Sequence, residues 1–288
     1  MEQTLLEYER TLAGHLFWVT LAVVAVWEGI APRRALSAPL RLRWFNNLAI
    51  WGVGTLVTRW TFPILGVAFA LLVAQRGWGL FHLIPLPSWL VILLSLVALD
   101  LARYIEHWLY HRIPVLWRLH RLHHADLDCD VTAGLRFHPL EAIITAGTTL
   151  GVVAALGAPP VAVLVDQALM GASIIFAHGN IRLAGRWEAL LRLVVVTPEM
   201  HRVHHSAVVR ETDSNLSVVY SWWDRLFGTY VTQPGHGHEK MTIGLDRFRE
   251  RKHLTLPWLL IQPFLPDRAP QLGLHASESF SSRRALTR

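Results

Sequence analysis

Cysteine is almost missing from this chain. A single thiol, Cys129, stands among 288 residues, which excludes an intrachain disulfide and a cysteine-built metal site. Lysine is nearly as scarce. Only Lys240 and Lys252 interrupt a set of 27 basic residues that is otherwise arginine. Charged residues of both signs reach 17%, hydrophobic residues 52% and the mean hydropathy +0.33. That balance is too apolar for an ordinary soluble domain, and some apolar runs are long enough to cross a bilayer. We therefore expect one membrane domain with a polar face rather than two soluble domains. The formal charge of +6 then has a local explanation, since arginines flank the apolar runs and anchor them at lipid headgroups. They are not interleaved with stacking aromatics, so the chain is not expected to bind nucleic acid. A secretion signal is not expected either. Glu2, Glu7 and Glu9 precede the first apolar run where a basic region would be needed, and EGIAPRR at its end is a poor cleavage site.

Five stretches are expected to span: about His15 to Ile30, Leu48 to Ala74, Pro87 to His111, Leu140 to Leu156 and Val161 to His178. The second contains Arg59 and Pro63. An arginine at mid-bilayer costs about 2.5–3.5 kcal/mol on insertion scales, so a kink, or two pieces with Arg59 facing protein or water, is expected there. The third is apolar only from Trp89 to Leu99 and continues as a helix of roughly 37 Å, carrying His107 and His111 out of the hydrocarbon. The fourth and fifth form a hairpin across Gly157-Ala158-Pro159-Pro160. Arginine-rich and arginine-poor loops alternate, so the positive-inside rule places the N-terminus outside and the histidines on the cytoplasmic face. The expected fold is an all-α polytopic membrane helix bundle of four to five spans, with a cytoplasmic helical cap carrying a histidine-rich dimetal site. Its parts are residues 1–86 with the first spans and a basic loop, a core over 87–248, and 249–288 as an interfacial segment and polar tail. Leu254 to Leu265 is the interfacial candidate.

Histidine is what the chain has in excess. Ten of its sixteen histidines lie between residues 107 and 205. His107 and His111 are four apart and share a helix face with Asp100, Arg103 and Tyr104. His120, His123 and His124 repeat as His201, His204 and His205, and each triplet is expected to converge on one patch. Thr197-Pro198-Glu199 marks a helix start for the second triplet. Neutral imidazoles suit Fe, Zn, Cu or Ni, not Ca or Mg, and eight exceed the capacity of one ion, so two metals are expected. A lone histidine would be an ordinary interfacial or core residue; an HxxxH with two HxxHH groups has no such explanation. His138 and His178, at the ends of the fourth and fifth spans, are further ligand candidates. His15, His82, His253 and His275 have no such setting, and His236 and His238 read as a polar loop. Asp100, Asp213, Asp224 and Asn215 are the candidates to accept the second N–H of the ligating histidines.

These residues resemble the fatty acid hydroxylase superfamily, the sterol desaturase-like membrane di-iron enzymes. The resemblance runs from about Arg41 to Phe248. It rests on D-x-x-R-Y-x-x-H-x-x-x-H at Asp100–His111, H-x-x-H-H at His120–His124 and R-x-H-P-x-E at Arg136–Glu141. It continues with H-x-N at His178–Asn180, H-x-x-H-H at His201–His205 and W-D-R-L-F-G-T-Y at Trp223–Tyr230. It implies that His107, His111, His120, His123, His124, His201, His204 and His205 ligate metal and carry catalysis, with His178 and His138 added. It implies two iron ions, replaceable by zinc on purification, and O2 as cosubstrate. The implied reaction is hydroxylation or desaturation of an unactivated C–H bond in a lipid, sterol-like or fatty acyl substrate drawn from the bilayer. Electrons would come from a separate donor of cytochrome b5, ferredoxin or flavin-reductase type, since no fused cytochrome b5 domain is expected. The composition suggests a bacterial inner membrane. Competing readings are a zinc-dependent membrane hydrolase, disfavoured by the lack of HExxH, a bis-histidine haem protein, and a non-enzymatic membrane metal-binding protein.

Overall fold

Proline and glycine set the helix boundaries. The computed structural model describes residues 2–266. The first helix, α1, covers Gln3–Ile30 as one span and includes a π-helical turn at Glu9–Ala13. α2 is Leu40–Thr61 and α3 is Gly66–Arg76. They are separated at Pro63, which cannot donate to a helical ladder, and Gly66 takes a positive φ of 56°. The second span is thus two helices, as Arg59 and Pro63 suggested; Arg59 ends up in the exposed last turns of α2. α4, Ser88–Arg112, follows Pro87; α5, Pro114–His124, has proline in its first turn. α6, Pro139–Leu156, and α7, Pro160–His178, also start on proline, whose fixed φ suits that position. Gly157 closes α6 in the left-handed region, and a Cβ there would lie 2.5 Å from the Trp78 carbonyl, so the hairpin turn needs glycine.

Among the described residues, five helices are long and apolar enough to cross a membrane: Gln3–Ile30, Leu40–Arg76 taken together, Ser88–Arg112, Pro139–Leu156 and Pro160–His178. The described residues form no strand ladder, only three isolated bridges. α7 packs on α1, α3 and α4, and α6 packs on α2 and α4. Outward faces remain apolar and exposed, as at Val23, Leu56, Trp60 and Leu93, which is what lipid contact requires. The protein is an all-helical integral membrane protein.

Short helices cover one end of the bundle: α8 Gly185–Leu191, α9 Pro198–His204, α10 Trp222–Leu226 and α11 Leu256–Ile261. The Thr197 hydroxyl accepts from Met200 N at 3.3 Å and caps α9. The 125–136 connection is held by buried charge. Arg43 binds Asp126 through Nε at 2.7 Å and Nη2 at 2.9 Å and also pairs with Asp130, while Asn47 donates to Asp126 at 3.1 Å. The Arg43 guanidinium holds the Asp126 carboxyl well below the usual carboxylate range. The stretch expected to lie at the interface, Leu254 to Leu265, is tied into the protein. Leu259 packs with Ile50 and Leu122, and Arg118 and Arg121 donate to carbonyls of Gln262, Pro263 and Leu265. Pro257 and Pro263 lie in the first turns of their short helices, and Pro257, Ile261 and Phe264 stay exposed. The rest of the expected polar tail, with His275, lies outside the described residues.

Candidate metal centre

Nine imidazoles converge where α4, α5, α7 and α9 meet. They form two groups. His107, His111, His120, His124 and His204 make the first; His123, His178, His201 and His205 make the second. Within each group one ring nitrogen per residue lies within 4.8 Å of the others. The two HxxHH triplets therefore do not each converge on one patch. α5 sends His120 and His124 to the first group and His123 to the second, while α9 does the reverse with His204 against His201 and His205. Residues four apart share a face, and the third histidine of each triplet is turned aside. Each helix thus bridges both groups.

The tautomers follow from the outer partners. His107 Nδ1 lies 2.7 Å from the Leu216 carbonyl, His204 Nδ1 2.9 Å from that of Ser214, and His178 Nδ1 2.7 Å from that of Ile174. A carbonyl only accepts, so each Nδ1 carries the proton and each Nε2 presents a lone pair inward. His120 Nδ1 likewise donates to Glu141 Oε1 at 2.6 Å and His111 Nδ1 to Asp213 Oδ1 at 3.2 Å. The inward nitrogens crowd together: His107 to His120 at 3.1 Å, His124 to His120 at 3.2 Å, His178 to His123 at 3.1 Å and to His201 at 2.9 Å, all Nε2 to Nε2. Where both tautomers are set by carbonyl or carboxylate acceptors, as for His107 and His120, such a contact sets lone pair against lone pair. The inward Nε2 atoms of His111 and His204 have no partner at all. A bound cation in each group turns this repulsion into coordination, so the residues fit two ions of the type that imidazole prefers. Burial keeps the lone pairs free. It lowers His120 to about 3 and, aided by neighbouring imidazoles, takes His123, His124, His201, His204 and His205 well below their ordinary value of 6.5.

The remaining candidates divide. His178 joins the second group. His138 joins neither: its Nδ1 accepts from Leu140 N at 3.2 Å and its Nε2 donates to the Leu260 carbonyl at 3.2 Å. The α6 cap and the Leu260 carbonyl together use both ring nitrogens, which corrects its place among the ligand candidates. Asp213 is the one named acid that touches a clustered histidine. Asp100 does not; it accepts from Trp223 Nε1 at 2.8 Å and Tyr220 N at 3.3 Å, having turned toward α10. Asp224 and Asn215 act one step further out. Asp224 accepts from Leu216 N at 2.7 Å and Ser217 N at 3.1 Å. Asn215, at φ 51°, donates to the Met200 and Val231 carbonyls. Together they fix the loop whose Ser214 and Leu216 carbonyls orient His204 and His107. Glu141 was not singled out as a partner from the sequence, although its place three residues after His138, where a polar segment meets an apolar span, was a usable signal. His238, read as loop, is buried, and its Nε2 lies 3.6 Å from Glu199 Oε2.

A cavity of about 450 Å³ runs between α2, α4, α6 and α7 and ends on the imidazoles. His107 and His120 of the first group and His123 and His201 of the second line it, so it opens on both groups at once. Away from them its wall includes Leu150, Ala146, Met170 and Ile174, with Asp166 on α7. Asp166 stands twelve residues before His178, about 18 Å along the helix. The cavity is long, largely apolar and sunk into the membrane-spanning part.

Fold and site together define a membrane-embedded helical protein with a nine-histidine, two-group metal-binding centre at the head of a lipophilic cavity. Residues 92–229 match the model of the family described as fatty acid hydroxylase, and the chain resembles that superfamily over this stretch. It is 28% identical over 235 residues to the ornithine lipid hydroxylase OlsE of Rhizobium tropici, covering 76% of this chain and 69% of that protein. It is 26% identical over 180 residues to an alkylglycerol monooxygenase of Danio rerio, covering 58% and 36%, and 28% identical over 157 residues to that of Homo sapiens, covering 52% and 32%. The chain thus spans about a third of the length of the alkylglycerol monooxygenases it matches. No solved structure matches it.

Proposed function

We propose that the chain is an O2-dependent di-iron oxidoreductase that hydroxylates an unactivated C–H bond of a membrane lipid. The observation that carries this reading is the cavity's end: it meets both imidazole groups at once. A substrate carbon placed there faces two metal sites from the apolar side. The names of the relatives support a lipid substrate and a hydroxylase reaction. His107, His111, His120, His124 and His204 hold one iron; His123, His178, His201 and His205 hold the other. Bound iron supplies the reduction and activation of O2.

The chain's own residues do the rest. Ser214, Leu216 and Ile174 carbonyls, Asp213 and Glu141 hold the imidazoles in the tautomer that turns Nε2 inward. The aliphatic wall aligns an alkyl chain along the spans and keeps bulk water from the reacting carbon. Phe137, stacked on His123 at 4.6 Å between centroids, narrows the approach to the second group. Electrons come from a separate donor protein. The centre faces the cytoplasm across a bacterial inner membrane, in keeping with the arginine-rich loops on that side.

The test is iron-loaded protein in detergent with a chemical reductant, isotope-labelled O2 and a total bacterial lipid extract, read by mass spectrometry. A lipid gaining one labelled oxygen atom supports hydroxylation. Loss of two hydrogens without oxygen moves the reaction to desaturation. No modified lipid from a fully iron-loaded sample overturns the reading.

A further inference from the structure

Several polar atoms of the cavity wall lack partners, Thr58 Oγ1, Glu141 Oε2 and Gln167 Oε1 among them, and two that belong to neighbouring turns of α4 are complementary in kind. Arg103 and Glu106 lie three residues apart on α4, on the face that carries His107. Both are buried, at 7% and 8% exposure, and both line the cavity. Arg103 spends its two terminal nitrogens on Asp166, the first at 2.8 Å. Its Nε has no acceptor. Glu106 accepts from the Thr145 hydroxyl at Oε1, while Oε2 has no donor. Leaving a buried polar atom without a partner is costly, so a donor and an acceptor left open on one wall of a substrate cavity point to a ligand that supplies both.

We propose that Arg103 and Glu106 form a subsite for a neutral lipid group that both accepts and donates a hydrogen bond, a secondary amide or a hydroxyl. The lipid's oxygen accepts from Arg103 Nε, and its N–H or O–H donates to Glu106 Oε2. Charge excludes the other common lipid groups. Arg59 and Arg103 against Asp166, Glu106 and Glu141 leave the wall no net positive charge for a carboxylate or phosphate, and an ester or ether has no proton to give. Arg103 stands one helical turn, about 6 Å, before His107 on α4, in the same cavity wall. The proposal rests on the reading of this cavity as the lipid site, but its test does not require turnover.

Equilibrium binding of tritiated probes to the full-length protein in detergent tests it. N-methylpalmitamide is paired with methyl palmitate, which replaces N–H by oxygen, and hexadecanol with hexadecyl methyl ether; palmitate is the anionic control. The expected result is at least a tenfold preference for the donor-bearing member of one pair, and that pair names the group. Palmitate binds no better than the ester. In Glu106→Gln the amide keeps an acceptor for Thr145 but offers N–H where the carboxylate oxygen stood, and the preference drops to about twofold or less. Equal wild-type affinities within both pairs overturn the proposal whether or not the variant folds, and so does a preference unchanged in Glu106→Gln. A preference found in protein that modifies no lipid leaves the subsite standing and removes the hydroxylase reading. Hydroxylation without any preference does the opposite.

Discussion

Glu141 makes the sharpest test of the metal centre because it touches only one of the two groups. Its carboxylate accepts from His120 Nδ1 at 2.6 Å, with both side chains 3% exposed. Glu141→Leu removes the acceptor, frees the ring of His120 to turn, and leaves a buried N–H without a partner. Outer partners of this kind are worth about 10–100-fold in metal affinity, or roughly 1.4–2.7 kcal/mol. Glu141→Gln keeps an acceptor oxygen for His120 but loses the charge, so its loss belongs near the lower end. The second group, His123, His178, His201 and His205, has no contact with Glu141 and retains its affinity. The assay is stepwise chelator competition on detergent-purified protein, with metal per chain measured at each step and circular dichroism to confirm the helices. Wild type releases its ions in the order set by the two groups. Glu141→Leu releases one ion at 10–100-fold lower chelator activity and the other unchanged. Equal weakening of both ions, or of neither, would refute the assignment of Glu141 to one group.

Three further outcomes follow from the same geometry. His124→Ala and His201→Ala each reduce metal content by about one ion per chain, and the double variant by about two; a single variant that loses both ions would mean that the groups are not separate. In metal-depleted protein, the contribution of these imidazoles to thermal stability is full above about pH 6.5 and is lost as the pH drops towards about 3. The unfolded chain takes up protons near 6.5, whereas burial holds His120 at about 3 and its neighbours well below 6.5 in the folded state, so the unfolded state binds more protons throughout that window. An unfolding temperature that stays flat there would contradict the buried, neutral imidazoles. Asp126→Asn breaks the buried Arg43 pair and lowers stability by about 3–5 kcal/mol, measured by denaturant unfolding in detergent, while Asp128→Asn, which faces the Ser37 and Ala38 amides, costs less.

Helices were legible where local chemistry decides them. Pro139, Pro160 and Pro198 set helix starts and Gly157 a helix end, and the apolar lengths set the spans, although the first two begin earlier than expected, at Gln3 and Leu40. Partners reached through space were less legible. Asp100 lies in register with His107 on α4, yet Trp223 and Tyr220, more than a hundred residues on, take its oxygens. His138 has the look of a ligand until the 256–264 segment folds back and offers the Leu260 carbonyl. Glu141 escaped notice because one acid at a span boundary carries no spacing to a histidine twenty-one residues away.

The amino-acid order alone determined that imidazoles of this number, at helical spacings beside apolar spans, cluster as candidate metal ligands in a membrane protein. Residues three and four apart on a helix lie within about 100° of arc, so clustering is a local property. Which histidine serves which group is not. His120, His123 and His124 fit within one arc, and only the approach of α9 on one side and α7 on the other separates His123 from its neighbours. The same holds for the cavity. Its wall takes residues from four helices, and the juxtaposition of Arg103, Glu106 and Asp166 with both imidazole groups exists only once those helices pack.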